Sequence, residues 1–443
     1  MSRNHYFFRL CAFALPVLGI LANAQQAVGE NWGHWRGPTG NGSVASGNPP
    51  TRWTESTGIK WKTAIPGRGS GSPIVWNNQI FVVSAVTQKG SNSENSNSRN
   101  SGRRRQNATG LGKTKFMIFC IDRKSGTKIW EQTATEETPH QGVHGTNNFA
   151  SASPCTDGKH VYAFFGSRGL FCFTIDGKPV WQRNDFGKMN TRNGFGEGSS
   201  PTLAGDKILV PWDHDGPSAI YALNKYTGAT LWKTDREEPT NWSTPLVVPH
   251  NGKKQVILNG QNYARAYDLE TGQELWRCGG QTQRPCASAV AADGLVFVGS
   301  GFRGSYLGAF KLGGQGDIAR TSSVAWSVDE DTPDVASPLL SNGRLYFHKA
   351  KTGILSCLQA ESGKPLFSAT RVPGISTTYA SPIAAGGHVY LTGRKGTTVV
   401  IKDASQFEIV ATNSVGEGVD ATPAVVDNQL FIRGEKHLFC ISD

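Results

Sequence analysis

Apolar residues run through this chain in short stretches separated by Gly- and Asp-containing turns. Residues 201–233 show the pattern well. Residues 201–204 form a first apolar stretch, and Gly205-Asp206 a turn. Residues 207–212 form a second stretch and 219–223 a third. Thr227-Gly228 then turns the chain into a fourth, 229–233. Short apolar runs bounded by turn residues predict strands. Four strands joined this way make one small antiparallel sheet.

The same unit recurs. A Ser/Thr-Pro pair opens each copy: Ser72-Pro73, Ser153-Pro154, Ser200-Pro201, Thr244-Pro245, Ser337-Pro338, Ser381-Pro382 and Thr422-Pro423. Ser288-Ala289 fills the one gap, making eight copies. Successive second residues lie 81, 47, 44, 44, 49, 44 and 41 positions apart. A four-stranded unit at this period predicts an all-β, eight-bladed propeller. The outlying spacing contains a Ser/Asn-rich stretch with Arg103-Arg104-Arg105 and reads as an insertion at 89–113. That stretch is either a solvated loop or a basic surface patch.

A second signature lies between the third and fourth strands. It runs Asp122, Ser125-Gly126, Trp130 in unit one, Asn224, Thr227-Gly228, Trp232 in unit three, and Asp268, Thr271-Gly272, Trp276 in unit four. Unit two shortens it to Asp176-Gly177 and Trp181, and unit six has Ser362-Gly363 and Phe367. Gly suits the tight turn, Asp or Asn can bond its backbone, and Trp offers a flat surface to bury between blades. Trp61 and Trp326 fill the same role, so six tryptophans are expected to dock blade on blade. One column just before this turn holds Cys120, Cys172, Cys357 and Cys440, with Ala222, Ala266 and Ala309 elsewhere. A small packing residue is wanted there. Cys155 looks similar. Cys278 and Cys286 flank the passage from unit four to unit five and could form a disulfide.

The last unit stops before a fourth strand. Residues 58–61, with Trp61, supply one from the other end of the chain. The N- and C-terminal strands are therefore expected to share one blade, which removes two sheet edges. The propeller is placed at 58–443 as one domain, preceded by a lead-in segment at 25–57. Residues 1–24 carry Arg3 and Arg9, an apolar run at 10–22 and Ala22-Asn23-Ala24. This reads as a cleaved signal peptide, with Cys11 too early for a lipoprotein site. The chain is expected to be periplasmic or secreted, without a transmembrane segment. Its formal charge of +11 drops by two, to +9, once Arg3 and Arg9 are removed. Export argues against a nucleic-acid partner.

These repeats resemble the pyrroloquinoline-quinone-like β-propeller family. Trp32-Gly33-His34-Trp35-Arg36-Gly37-Pro38 with Gly40-Asn41-Gly42 resembles the opening of its exported members. The resemblance implies one of two functions. One branch holds scaffolds similar to the outer-membrane assembly factor BamB, which grip partner proteins. The other holds quinoprotein alcohol dehydrogenases, with pyrroloquinoline quinone and Ca²⁺ as cofactors. Those enzymes carry adjacent cysteines beside the quinone, and this chain has no Cys-Cys pair. No catalytic residue or metal ligand set is recognisable.

Segments entering the innermost strands should meet at one mouth of the central channel. They bring His140, His144, Asn148, Glu197, Trp242, Arg284, Asp334, Tyr379 and Asp420. Loops after the second strands add Asp213, His214, Asp215 and Arg303. These residues either cap turns around a wet channel or form a ligand pocket. The expected function is a binding or scaffold protein, monomeric, that engages a protein partner of the cell envelope or a small molecule at this mouth. A dehydrogenase of alcohols or sugars is the alternative, and sugar binding on Trp242, Tyr379 and Phe149 a third idea.

Overall fold

The computed structural model describes residues 1, 31–88 and 111–443. The expected leader, apart from Met1, and residues 89–110 of the expected insertion lie outside these residues. Eight antiparallel sheets follow one another along the chain. Blade one pairs Ile74–Trp76, Gln79–Thr87, Thr114–Asp122 and Lys128–Glu137 in that order. Blades two to seven begin at Cys155–Thr156, Thr202–Ala204, Leu246–His250, Val290–Ala292, Leu339–Ser341 and Ile383–Ala385. Blade eight takes Ala424–Val426, Gln429–Arg433 and His437–Ile441, and then Ile59–Ala64 as its outer strand. Trp61 sits opposite Cys440 there, so the two ends of the chain close the ring as the sequence implies.

Burial explains the pattern of each blade. Lys207–Trp212 is buried at every position, because both of its faces meet neighbouring blades. The outer strand Thr230–Arg236 mixes exposed and buried positions. The indoles bridge one blade to the next. Nε1 of Trp61, Trp130, Trp181, Trp232 and Trp326 donates to the carbonyls of Arg123, Ile175, Lys225, Leu269 and Ala360, at 2.9–3.1 Å. Each acceptor lies in the turn of the following blade. The turn glycine there packs flat on the indole: a Cβ on Gly126 would come within 2.6 Å of Trp61. The register also accounts for the column of small residues. Cys120, Cys172, Ala222, Ala266, Ala309 and Cys357 stand directly opposite Trp130, Trp181, Trp232, Trp276, Trp326 and Phe367. Burial pushes the thiols of Cys120, Cys172, Cys357 and Cys440 up to about 12, which leaves them as inert packing groups.

Trp276 departs from the rule. Its Nε1 donates to Gln255 Oε1 at 3.3 Å. Blade five has no Thr-Gly turn to receive it. Instead Gly316–Asp317 adds a short parallel strand onto Trp276 and Arg277, and Trp276 is fully buried beneath it.

The repeating Ser/Thr has a structural use that its position alone did not reveal. The backbone N–H of Ser72 donates to Ser153 Oγ, Ser153 to Ser200, and Ser200 to Thr244. The relay continues from Thr244 to Ser288, Ser337, Ser381 and Thr422, all at 2.8–3.0 Å. Seven such hydrogen bonds thus tie the entries to the innermost strands in sequence, from blade one to blade eight.

Candidate functional site

One end of the channel is sealed by the lead-in segment. It crosses the floor and touches the blades in order. Trp32 pairs with Val75 of blade one, Thr156 N of blade two donates to Gly33 O, and His34 Nε2 meets Thr202 Oγ1 of blade three. Gly40 packs on Leu246 of blade four. Asn41 bonds both backbone groups of Ala291 in blade five, and Ser43 Oγ donates to Leu340 O in blade six. Ala384 N of blade seven donates to Gly42 O, and Asn48 N donates to Asn428 Oδ1 of blade eight. Arg36 sits in this floor, 2% exposed, with no carboxylate in contact among the described residues. Its guanidinium donates to the carbonyls of Pro382 (2.7 Å), Asn41 (3.0 Å) and Pro338. Burial pulls its pKa down to about 9, still charged at neutral pH.

Above this floor lies a cavity of about 400 Å³, open at the opposite mouth. Trp35 forms its base. Ser72, Ser153, Ser200, Thr244, Ser381 and Thr422 of the hydroxyl relay ring its wall. His144, Phe195, Trp242, Arg284, Phe302, Lys351, Tyr379 and Asp420 surround its mouth. The connection between blades one and two reaches over part of the opening: Thr146 Oγ1 meets Tyr379 OH of blade seven at 3.1 Å. His144 packs edge-on to Phe195, and Phe195 lies beside Trp242.

Cations outnumber carboxylates around this mouth. Arg394 takes both oxygens of Asp420 at 2.6 and 2.9 Å. Arg284 and Lys351 share Asp334 loosely, at 3.5 and 3.6 Å. Arg284 lies 3.4 Å over the ring of Phe302, Lys351 5.8 Å over Tyr379, and Arg394 4.1 Å over Tyr379. Burial, and then the charges of Lys351, Arg284 and Arg394, hold His144 below the usual imidazole range.

Of the residues expected at the mouth, His144, Trp242, Arg284, Tyr379 and Asp420 line the cavity. The rest do other work. His140 bonds Met189 O at 2.8 Å and faces Arg168. Glu197 pairs with that same Arg168 at 2.7 Å and caps Ser167. Asn148 ties the connecting loop to Ser70 Oγ at 2.7 Å. Asp213 is buried against Arg236 at 2.8 Å, and His214 is closed off by Asn190 N and Pro217 O. Asp215 caps Thr240. Asp334 lies beneath Arg284 and Lys351 as their counter-ion, and Arg303 is exposed outside the mouth. Phe149 packs against Phe116 and Arg168 instead of facing the cavity. The proposed Cys278–Cys286 disulfide is absent, and both thiols are free. Cys278 ends the outer strand of blade four, whereas Cys286 lines the central cavity. Phe195, Phe302, Lys351, Trp35 and the hydroxyl ring were missed. Lys351 follows the second strand of blade six, the same place that suggested Arg303 in blade five.

The cofactor pair implied by the resemblance can be tested on the donor set. Ca²⁺ takes six to eight oxygens, carboxylates among them. Both oxygens of Asp420 already serve Arg394, and Asp334 lies between two cations. Among the described residues no group of three or more His, Cys, Asp or Glu could hold a metal ion. The side chains of the cup therefore do not fit a calcium–quinone pair.

Fold and site together define a closed eight-bladed propeller with a blind, cation-rimmed cup on its axis. The family described as outer membrane protein assembly factor BamB matches residues 115–368 and 260–443, and the chain belongs to this family of pyrroloquinoline-quinone-like propellers. It is 23% identical to the outer membrane protein assembly factor BamB of Yersinia pestis over 337 residues, 72% of this chain and 78% of that one. It is 33% identical to methanol dehydrogenase subunit 1 of Methylorubrum extorquens over 89 residues, 18% of this chain and only 13% of the enzyme subunit. The quinohemoprotein alcohol dehydrogenase of Comamonas testosteroni shares the fold at a TM-score of 0.60, with 10% identity, over 93% of this chain and 80% of that one.

Proposed function

We propose that this chain is a binding propeller of the cell envelope, acting as a single copy, that captures its partner at the mouth of the central cup. The observation that carries this reading is the cup itself. It is blind, about 400 Å³ in volume, and walled by aromatic and cationic side chains. Pockets of this size and lining take small ligands or an inserted side chain of a protein. The relative from Yersinia pestis, which this chain matches over most of its length, is named as an outer-membrane assembly factor, and this supports an envelope setting. No helix among the described residues is long and apolar enough to cross a membrane.

The test is cross-linked capture from the organism's own envelope with wild type and a Trp242→Ala/Tyr379→Ala double variant. The two rings line the mouth from the entries to blades four and seven, and aromatic anchors carry a large share of binding energy. A defined partner should be held by wild type and lost by about tenfold in the variant, with both proteins melting cooperatively. Equal capture by the two would overturn the proposal.

A further inference from the structure

The cup is rich in hydrogen-bond donors, and Asp420, the one carboxylate among its lining residues, is already paired with Arg394. Six hydroxyls of the inner ring are among its lining: those of Ser72, Ser153, Ser200, Thr244, Ser381 and Thr422, each residue at least nine-tenths buried. Five of them already accept a backbone N–H from the preceding blade. A hydroxyl that accepts in this way keeps its own O–H to give, and none of the six gives it to a protein group among the described residues. Accepting a hydrogen bond also makes an O–H a stronger donor.

Two cations frame this ring. Arg36 lies in the floor, charged and with only carbonyls around it. Arg284 stands at the mouth, 8% exposed, stacked on Phe302. Its Nη2 has Asp334 at the limit of hydrogen-bond range, 3.5 Å. Among the described residues neither its Nη1 nor its buried Nε has a hydrogen-bond partner, Nη1 being the one not closed off from the cavity that Arg284 lines. A buried guanidinium with unused N–H groups over a cavity is a site for an oxyanion. The aromatic rings of Phe195, Trp242 and Tyr379 leave room for an apolar or ring-shaped body above it.

We propose that the cup binds an organic oxyanion, with its charged group on the hydroxyl ring and Arg284 and its body against the mouth aromatics. The proposal rests on the cup being the binding site. A carboxylate, a sulfate and a phosphate share the required chemistry.

Matched probes separate charge from shape: 4-hydroxybenzoate against 4-hydroxybenzamide, and glucuronate against glucose, with inorganic sulfate and phosphate alone. Binding to the full chain is followed by calorimetry and by the change in intrinsic tryptophan fluorescence, to which Trp35 and Trp242 in the cup contribute. At least one anionic probe should saturate, bind about tenfold more tightly than its neutral twin, and weaken with added salt. Arg284→Gln should lose about tenfold for the anion and nothing for the neutral twin. Lys351→Met, at a half-exposed side chain, should weaken the anion in the same sense without threatening the fold. Neutral twins that bind as tightly as the anions would overturn the oxyanion reading and leave the cup reading intact. So would a failure of every probe while the envelope partner is still lost by the Trp242→Ala/Tyr379→Ala variant. Anion binding unchanged in that double variant and in Arg284→Gln would overturn both.

Discussion

His348 makes the stability of this protein depend steeply on acid. It ends the second strand of blade six, is fully buried, and neither ring nitrogen meets a hydrogen-bond partner among the described residues. Burial lowers its pKa from 6.5 to about 4, against a smaller opposing pull of the nearby backbone of Ile354 and Thr352, whose groups lie close to the ring without forming a well-aligned hydrogen bond. Between those two values the unfolded chain binds a proton that the folded chain refuses. Stability therefore rises with pH through this window and is lost as pH falls below 6.5. At pH 5 the two titrations differ by about 2 kcal/mol. His34, His144 and His214 are shifted the same way, so the whole protein should lose more than this one site accounts for. His348→Leu replaces an imidazole that makes no hydrogen bond with an apolar side chain, and should match or exceed wild type at pH 7.5. Urea unfolding of both proteins at pH 7.5 and pH 5 isolates the contribution. The variant should lose about 2 kcal/mol less than wild type between the two. An acid loss equal to that of wild type would refute the argument.

Arg36→Met keeps an unbranched apolar stem but removes the guanidinium and its donors. The carbonyls of Pro338 and Pro382 lose their partner, so unfolding free energy should fall by about 2–4 kcal/mol in a denaturant titration. A change under half a kilocalorie would mean that the segment is only draped across the floor. Titration with pyrroloquinoline quinone should show no effect of Ca²⁺ on binding, and alcohol should reduce no added dye. Calcium-dependent saturation together with dye reduction would return the dehydrogenase reading to first place.

The architecture was legible because its signals are local. A Ser/Thr-Pro pair, a Gly turn and a Trp recur within each blade, and the opposed Cys or Ala follows from strand register. Closure was legible because one strand is missing at one end and spare at the other. The site was only half legible. Asp213 looked like a mouth residue until Arg236, an outer-strand side chain 23 positions away, claimed it. Glu197 was drawn off by Arg168 in the same way. The first pair spans one blade and the second two, and no short motif announces either. Trp35 and Arg36 stood out as part of a motif, but their place on the axis comes from eight separate contacts with unremarkable backbone groups.

Closing the ring with Ile59–Ala64 has a kinetic cost. That strand pairs with His437–Ile441, with Trp61 opposite Cys440, so 440 − 61 = 379 positions separate these partners. At a synthesis rate of roughly 5–20 residues per second, its partner follows roughly 20–75 s later. Until then the first strand to be made has nowhere to go, and blade eight cannot exist. Folding with so distant a pairing is slow and leaves sticky edges waiting. A newly made chain is thus most vulnerable at its two ends, and a chaperone that shields residues 59–64 would protect the one joint on which the finished ring depends.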